Sequence, residues 1–216
     1  MMLNIARLLL GVVLCLAVIA ALVYIVQTKL LYLPQTYSSA DLVMVAEQYG
    51  LHPWPEVAQG YRGLVSPSAP GTHGTVVVFH GNAGSALNRQ HYVDALEPLG
   101  FKVVLAEYPG YGPRDGRLNE ASLVADARET VRRAVQEFGG PVYVWGESLG
   151  CGVATAVATD ADLQVEGLAL ITPFTNLPDL AQAVYWNLPI GGLIRDRYDS
   201  VANLAGFREP VALVVA

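Results

Sequence analysis

Three short stretches carry residue types that could do chemistry together. Gly146-Glu-Ser148-Leu-Gly150 directly follows the apolar run Pro141-Val-Tyr-Val-Trp145 and opens a tract of small residues from Cys151 to Thr159. A serine on a sharp strand-to-helix turn has its hydroxyl lifted above the sheet, and flanking glycines remove the Cβ atoms that would clash there. The following helix N-terminus adds positive partial charge and free N–H groups beside the reacting oxygen. That arrangement suits attack of Ser148 on an acyl carbonyl; the plain alternative is a glycine-rich turn with an N-capping serine.

The second stretch, His80-Gly-Asn-Ala-Gly-Ser85, directly follows Thr75-Val-Val-Val-Phe79. A loop there can bring a backbone N–H to a substrate carbonyl, and Gly81 permits close approach. The amides of Asn82 and Leu149 are the expected oxyanion donors. His80 stands at the base of the loop, where a structural role is favoured over general-base catalysis. The third, Glu107-Tyr-Pro-Gly-Tyr-Gly112, ends the run Lys102-Val-Val-Leu-Ala106. Glu107 is expected to accept hydrogen bonds from backbone or from His80, while Tyr108 and Tyr111 either line a pocket or pack.

The elements that must hold these loops alternate regularly. The three apolar runs just named, with Val165 to Ile171 and Val211 to Ala216, are short, β-branched and bounded by turn residues. Such runs suit strands buried on both faces of a parallel sheet. Leu123, Ala127, Val131, Val135 and Phe138 form one helical stripe, with Asn119 as N-cap and Gly139-Gly140 as the stop. Ser85 to Leu99 reads as a second helix, with Tyr92, Ala95, Leu96 and Leu99 inward. Strand–helix–strand alternation predicts an α/β fold with a mostly parallel sheet and helices on both faces.

Composition narrows the functional class. The chain of 216 residues is 53% hydrophobic and 15% charged, which excludes intrinsic disorder. With 13 basic against 19 acidic side chains and a net charge of −6, a nucleic-acid partner is not expected. Two cysteines build neither a disulfide scaffold nor a metal site, and no cofactor motif is present. Cys15 lies in an apolar segment and Cys151 just past the Ser148 turn, where burial is expected.

Leu8 to Val26 holds 19 residues without a charge, preceded by Arg7 and followed by Lys29. At 1.5 Å per residue that nearly crosses a hydrocarbon core about 30 Å thick, so a single-pass anchor is predicted. A cleaved signal peptide is the rival, with Ala17, Ala20 and Ala21 as small residues, but the apolar run continues past them. The balance of basic residues leans towards N-terminus inside and domain on the non-cytoplasmic side. The expected organisation is an anchor over 1–30, a linker and domain start over 31–60, and the α/β domain over 61–216. Pro34, Gln35, Thr36, Ser38 and Ser39 supply the polar linker, and a short cap-like insertion spans about 173–208. In that cap Arg195, Asp196, Arg197 and Asp199 read as solvated ion pairs. Trp186, Leu188, Pro189 and Ile190 either meet an apolar substrate or cover the sheet.

Together HGNAGS, EYPGYG, WGESLG, ITPFTNL and REPVALVV resemble the BEM46-like branch of the α/β-hydrolase superfamily, from about Val76 onward. The resemblance implies a membrane-anchored serine hydrolase cleaving an ester, thioester or amide bond of a small-molecule or lipid-like acyl substrate. It carries the nucleophile to Ser148, the oxyanion donors to Asn82 and Leu149, and motif roles to His80, Gly81, Glu107, Tyr108, Gly146 and Gly150. Arg114 departs from the family pattern, standing where a serine is common. A serine hydrolase also needs an acid and a histidine after its nucleophile. All four histidines, His52, His73, His80 and His91, precede Ser148. In the resembling family the acid follows the strand matching Pro210 to Ala216. The expectation is therefore a shortened hydrolase with its last strand or strands missing and inactive by itself; the alternative is a non-catalytic binding protein with the same fold.

Overall fold

The computed structural model describes residues 2–66, 73–187 and 190–215, so Leu188, Pro189 and Ala216 lie outside the described residues. Seven strands form one sheet: β2 (His52–Trp54), β3 (Gly63–Val65), β4 (Thr75–Phe79), β6 (Lys102–Ala106), β7 (Val142–Glu147), β8 (Val165–Ile171) and β9 (Val211–Val214). Their spatial order is β2-β3-β6-β4-β7-β8-β9. The β2–β3 and β3–β6 pairs are antiparallel, and every pair from β6 across to β9 is parallel. Two further two-residue strands, β1 (Leu33–Pro34) and β5 (Ala83–Gly84), pair with each other.

Central strands β4 and β6 are buried throughout, as apolar runs in a parallel sheet should be. Their period of two sends alternate residues to different helical layers. Val77, Phe79, Val104 and Ala106 meet α4 (Glu120–Phe138) and α5 (Leu149–Ala158) on one face. Val76, Val78, Val103 and Leu105 meet α2 (Ser39–Gln48) and α3 (Gln90–Leu96) on the other. Helix α4 buries Leu123, Ala127 and Val131, takes a cap from the Asn119 side chain to the Ser122 amide, and stops at Gly139 with φ +64°.

Two expectations need correction. The helix expected over 85–99 contains only α3, between 3-10 turns at Ala86–Arg89 and Glu97–Leu99. Pro98 and the left-handed Gly100 end it early, so Ala95 and Leu99 are exposed and Val93 joins Tyr92 and Leu96 inside. The residues read as a polar linker are part of the fold. Pro34 pairs in β1, Thr36 bridges Gly112, and Ser38 makes a reciprocal capping box with Asp41 at the start of α2. Finally, helix α1 (Met2–Leu31) continues past Val26 through Gln27, Thr28 and Lys29. Within it Leu9–Leu31 is long and apolar enough to cross a membrane.

Candidate active site

The parallel register brings the three chemical stretches to one edge. Phe79 is paired with Ala106 on one side and Gly146 on the other, and Glu147 is paired with Ile171. The chain therefore leaves β4, β6, β7 and β8 at the same level, and His80, Glu107, Ser148 and Thr172 follow side by side. Ligands of open α/β sheets bind at this carboxyl edge.

Ser148 joins β7 directly to α5 with φ +51° and ψ −113°. A non-glycine residue with positive φ is strained and persists only where its surroundings over-determine it. Those surroundings are visible here. The Ser148 amide donates to the Ile171 carbonyl at 2.9 Å, and the Ser148 carbonyl accepts from the Cys151 amide at 2.8 Å. A Cβ on Gly146 would stand 2.5 Å from the Gly150 carbonyl oxygen, and one on Gly150 would stand 2.1 Å from that of Phe79. Both glycines let the helix start almost on top of the strands. Ser148 is partly exposed, and its hydroxyl has no hydrogen-bond partner among the described residues. The Leu149 amide starts α5 and, among the described residues, makes no bond to a backbone acceptor outside the helix.

The loop from His80 to Ser85 runs beside this turn. A Cβ on Gly81 would lie 3.5 Å from the Ser148 Cβ, so loop and turn are in van der Waals contact. Asn82 is held from three sides. Its side-chain amide donates to the Leu31 carbonyl at 2.9 Å, while its own carbonyl accepts from the Leu33 amide and the Tyr111 hydroxyl. Among the described residues its backbone N–H donates to no backbone acceptor.

His80 is fully buried, and each ring nitrogen faces an oxygen: Nε2 lies 3.0 Å from Glu107 Oε1, and Nδ1 lies 2.7 Å from the Gly81 carbonyl. No ring nitrogen is left for Ser148. Glu107, also buried, accepts from His80, from the Ala86 amide at 3.1 Å and from the Tyr37 hydroxyl at 3.3 Å. It thus ties the β6 exit to the β4 loop. Tyr108 packs instead of lining a cavity: it is buried, its ring centroid lies 4.4 Å from that of His80, and its hydroxyl donates to the His80 carbonyl. Burial pushes its phenol well above the ordinary range. Arg114 turns inward, making a bidentate contact with Asp126 at 2.7 Å and donating to the Glu107 carbonyl. Cys151 is buried, its thiol donating to the Gly146 carbonyl, and burial pushes that thiol up to about 12.

Two contributors have no local sequence signal. Glu147, beside the serine, is gripped by Arg89 at 2.7 and 2.9 Å and by the Tyr92 hydroxyl at 3.1 Å. Thr172 has φ +51° just past β8 and donates its amide to the Val214 carbonyl. Both arise from partners dozens of residues away.

The cap also departs from expectation. Among the described residues Arg195, Asp196, Arg197 and Asp199 form no ion pairs with one another. Arg195, Asp196 and Arg197 bind the end of α1, Tyr32 just after it and the start of α4 instead. The Arg195 amide donates to Gln27 Oε1, its guanidinium donates to Thr28 and lies 4.9 Å from the Tyr24 ring centroid. Asp196 accepts from the Tyr32 hydroxyl at 2.8 Å and from the Glu120 amide at 3.1 Å. Glu120 in turn accepts from the amides of Arg197 and Tyr198. Asp199 caps α7 (Ser200–Leu204) through the Ala202 amide.

The model of a family described as serine aminopeptidase, S33, matches residues 70–196. The chain belongs to this family, within the α/β-hydrolase superfamily. The Mycobacterium tuberculosis protein Rv2307c is 34% identical over 201 residues, covering 87% of this chain and 68% of that protein. Lysophosphatidylserine lipase ABHD12 of Danio rerio is 34% identical over 129 residues, covering 55% of this chain. The match spans 34% of that lipase's length. Among solved structures, an alpha-beta hydrolase from Vibrio vulnificus aligns with a TM-score of 0.59 at 21% identity, covering 73% of this chain and 64% of that one. The Pyrococcus furiosus esterase aligns at 0.55 and 16%, covering 70% and 63%. By family the chain is thus a hydrolase of the α/β-hydrolase superfamily.

Proposed function

We propose that this protein is a membrane-anchored serine hydrolase in which Ser148 attacks the acyl carbonyl of a lipid-like ester, thioester or amide. The Ser148 Oγ–carbon bond forms as the carbonyl opens to an oxyanion. The amides of Asn82 and Leu149 receive that oxyanion, the leaving group departs with a proton, and water then releases the acyl group. The observation that carries this reading is the strained φ of +51° at Ser148, imposed where β7 meets α5. Strain held at a partly exposed hydroxyl on a strand-to-helix turn is characteristic of a working site. The lysophosphatidylserine lipase relatives favour a single-chain lipid ester as substrate. Uncleaved anchoring is supported by the contacts of Gln27, Thr28 and Tyr32 with the cap, all of which a cleaved signal peptide would forfeit or leave at a frayed terminus.

Ser148 needs a base, and His80 is fully engaged elsewhere. Turnover by these 216 residues is therefore expected to rest on the oxyanion donors and binding, which in other serine hydrolases leave roughly 10³–10⁴-fold over water. The unpartnered Ser148 hydroxyl also favours a second reading, an acyl-binding protein without turnover. A fluorophosphonate probe separates the two. Covalent labelling lost in Ser148→Ala supports the hydrolase. No labelling even with imidazole added as an external base, and no acyl-enzyme burst with an activated ester under the same conditions, overturns it and leaves the binding protein.

A further inference from the structure

An apolar cavity of about 320 Å³ lies between the last turns of α1 and the cap. Val23, Leu30 and Leu31 of α1 form one wall; Leu177 and Ala181 of α6 (Leu177–Val184), with Ile194, form the other. Its size falls at the lower end for small-molecule sites. Two things mark what would fill it. First, one wall belongs to the segment Leu9–Leu31, whose 23 residues at 1.5 Å each reach about 34 Å, slightly more than a hydrocarbon core. The cavity therefore opens where that helix leaves the bilayer. On the same cap, Leu180, Val184, Tyr185 and Trp186 are exposed, with Trp186 at 80%. Exposed Trp and Tyr beside a spanning helix suit the headgroup level. Second, one end of the lining is tied to the Asn82 loop, because lining residue Leu31 accepts through its carbonyl from the Asn82 side chain. The carboxylate at that end, Asp196, is already satisfied by Tyr32 and the Glu120 amide, so it does not demand water or a cation.

We infer that this cavity holds the acyl chain of a lipid taken laterally from the bilayer, with α1 serving as both anchor and one wall of the chain site. Placement of the ester carbonyl beside Ser148 rests on the function proposed above; occupancy of the cavity by the chain does not. A soluble substrate would have to cross the exposed apolar cap to reach the same place. Lateral entry lets the chain move from one apolar medium to another.

The full chain in phosphatidylcholine nanodiscs is photolabelled with a 16-carbon lysophospholipid bearing a diazirine at the chain end, and adducts are mapped by mass spectrometry. Adducts concentrated on Leu30, Ala181, Tyr185 and Ile194, equal in wild type and Ser148→Ala, are expected. Ala181→Phe should lower them about tenfold, and Leu30→Trp, at an exposed helix position, should do the same if Ala181→Phe fails to fold. Competing fatty acids of 8 to 16 carbons should gain about fourfold in potency per added methylene until the cavity is full. Adducts spread along Leu9–Val26 without enrichment at the cavity, or untouched by both substitutions, overturn the inference. Cavity labelling with an unreactive Ser148 overturns only the hydrolase reading.

Discussion

Gly150→Ala is a test of the claim that close approach of α5 to β4 builds the site. The added Cβ would lie 2.1 Å from the Phe79 carbonyl oxygen, 2.7 Å from its carbon and 2.8 Å from the His80 carbonyl oxygen. Ordinary contact begins near 3.4 Å, so α5 and the β4 exit must part by about 1.3 Å. Neither partner can rotate away, since all three atoms are backbone in or just after a strand bonded on both sides. Overpacking of this kind costs about 1–3 kcal/mol, and more where backbone is the obstacle. For a domain of this size each kcal/mol lowers Tm by about 2–4 °C, so a drop of roughly 2–12 °C is expected. The same shift moves the Leu149 amide relative to the Asn82 loop. Misplacement of about 1 Å costs on the order of 10²-fold in reaction at the serine. Thermal unfolding in detergent micelles reads the first effect, and the rate of fluorophosphonate labelling the second. Gly192→Ala is the control, because its added Cβ meets nothing within 4 Å. If Gly150→Ala unfolds and labels like Gly192→Ala, the close-approach argument is wrong.

Glu107→Ala should cost about 3–5 kcal/mol, because His80, the Ala86 amide and the Tyr37 hydroxyl lose their buried acceptor. Glu107→Gln keeps one acceptor oxygen and should cost clearly less; equal Tm values for the two variants refute the junction role. Arg195→Ala removes an exposed cation–π contact and a bond to Thr28, worth about 1 kcal/mol. Hydrogen exchange across 191–198 should accelerate roughly fivefold, with the sheet unchanged. Cys151, held up at about 12, is only about one part in 10⁴ thiolate at pH 8, so native protein should resist iodoacetamide there. Its folded value lies above the unfolded one, so this contribution to stability is complete below about pH 9 and lost as pH rises towards 12. Rapid alkylation at pH 8 before unfolding contradicts that burial.

Local patterns were readable in proportion to how local their causes are. The α4 stripe and its Asn119 cap appear where expected because helical period and capping depend on neighbours three or four residues apart. The Ser148 turn is legible because only glycine can flank so tight a crossing. The helix over 85–99 is shorter than its apolar spacing predicts because a proline competes with that spacing, and its inward face changes with its length. The cap charges were misread because alternating signs suggest mutual pairing, whereas their partners lie elsewhere. Tyr32 and Asp196, for example, are 164 residues apart.

Sequence alone determined the α/β class, the apolar span and the identity of Ser148 as the strained serine. Each of these follows from composition, short-range period or the steric freedom of glycine. Only the tertiary structure decided the rest. The pairing of Phe79 with Gly146 set the His80–Ser85 loop against Ser148, and Glu107 joined two strand exits through His80. The cap closed on the end of α1 and left an apolar cavity between them. Those contacts depend on which strands pair and which surfaces meet, and nothing in a window of 20 residues encodes that choice.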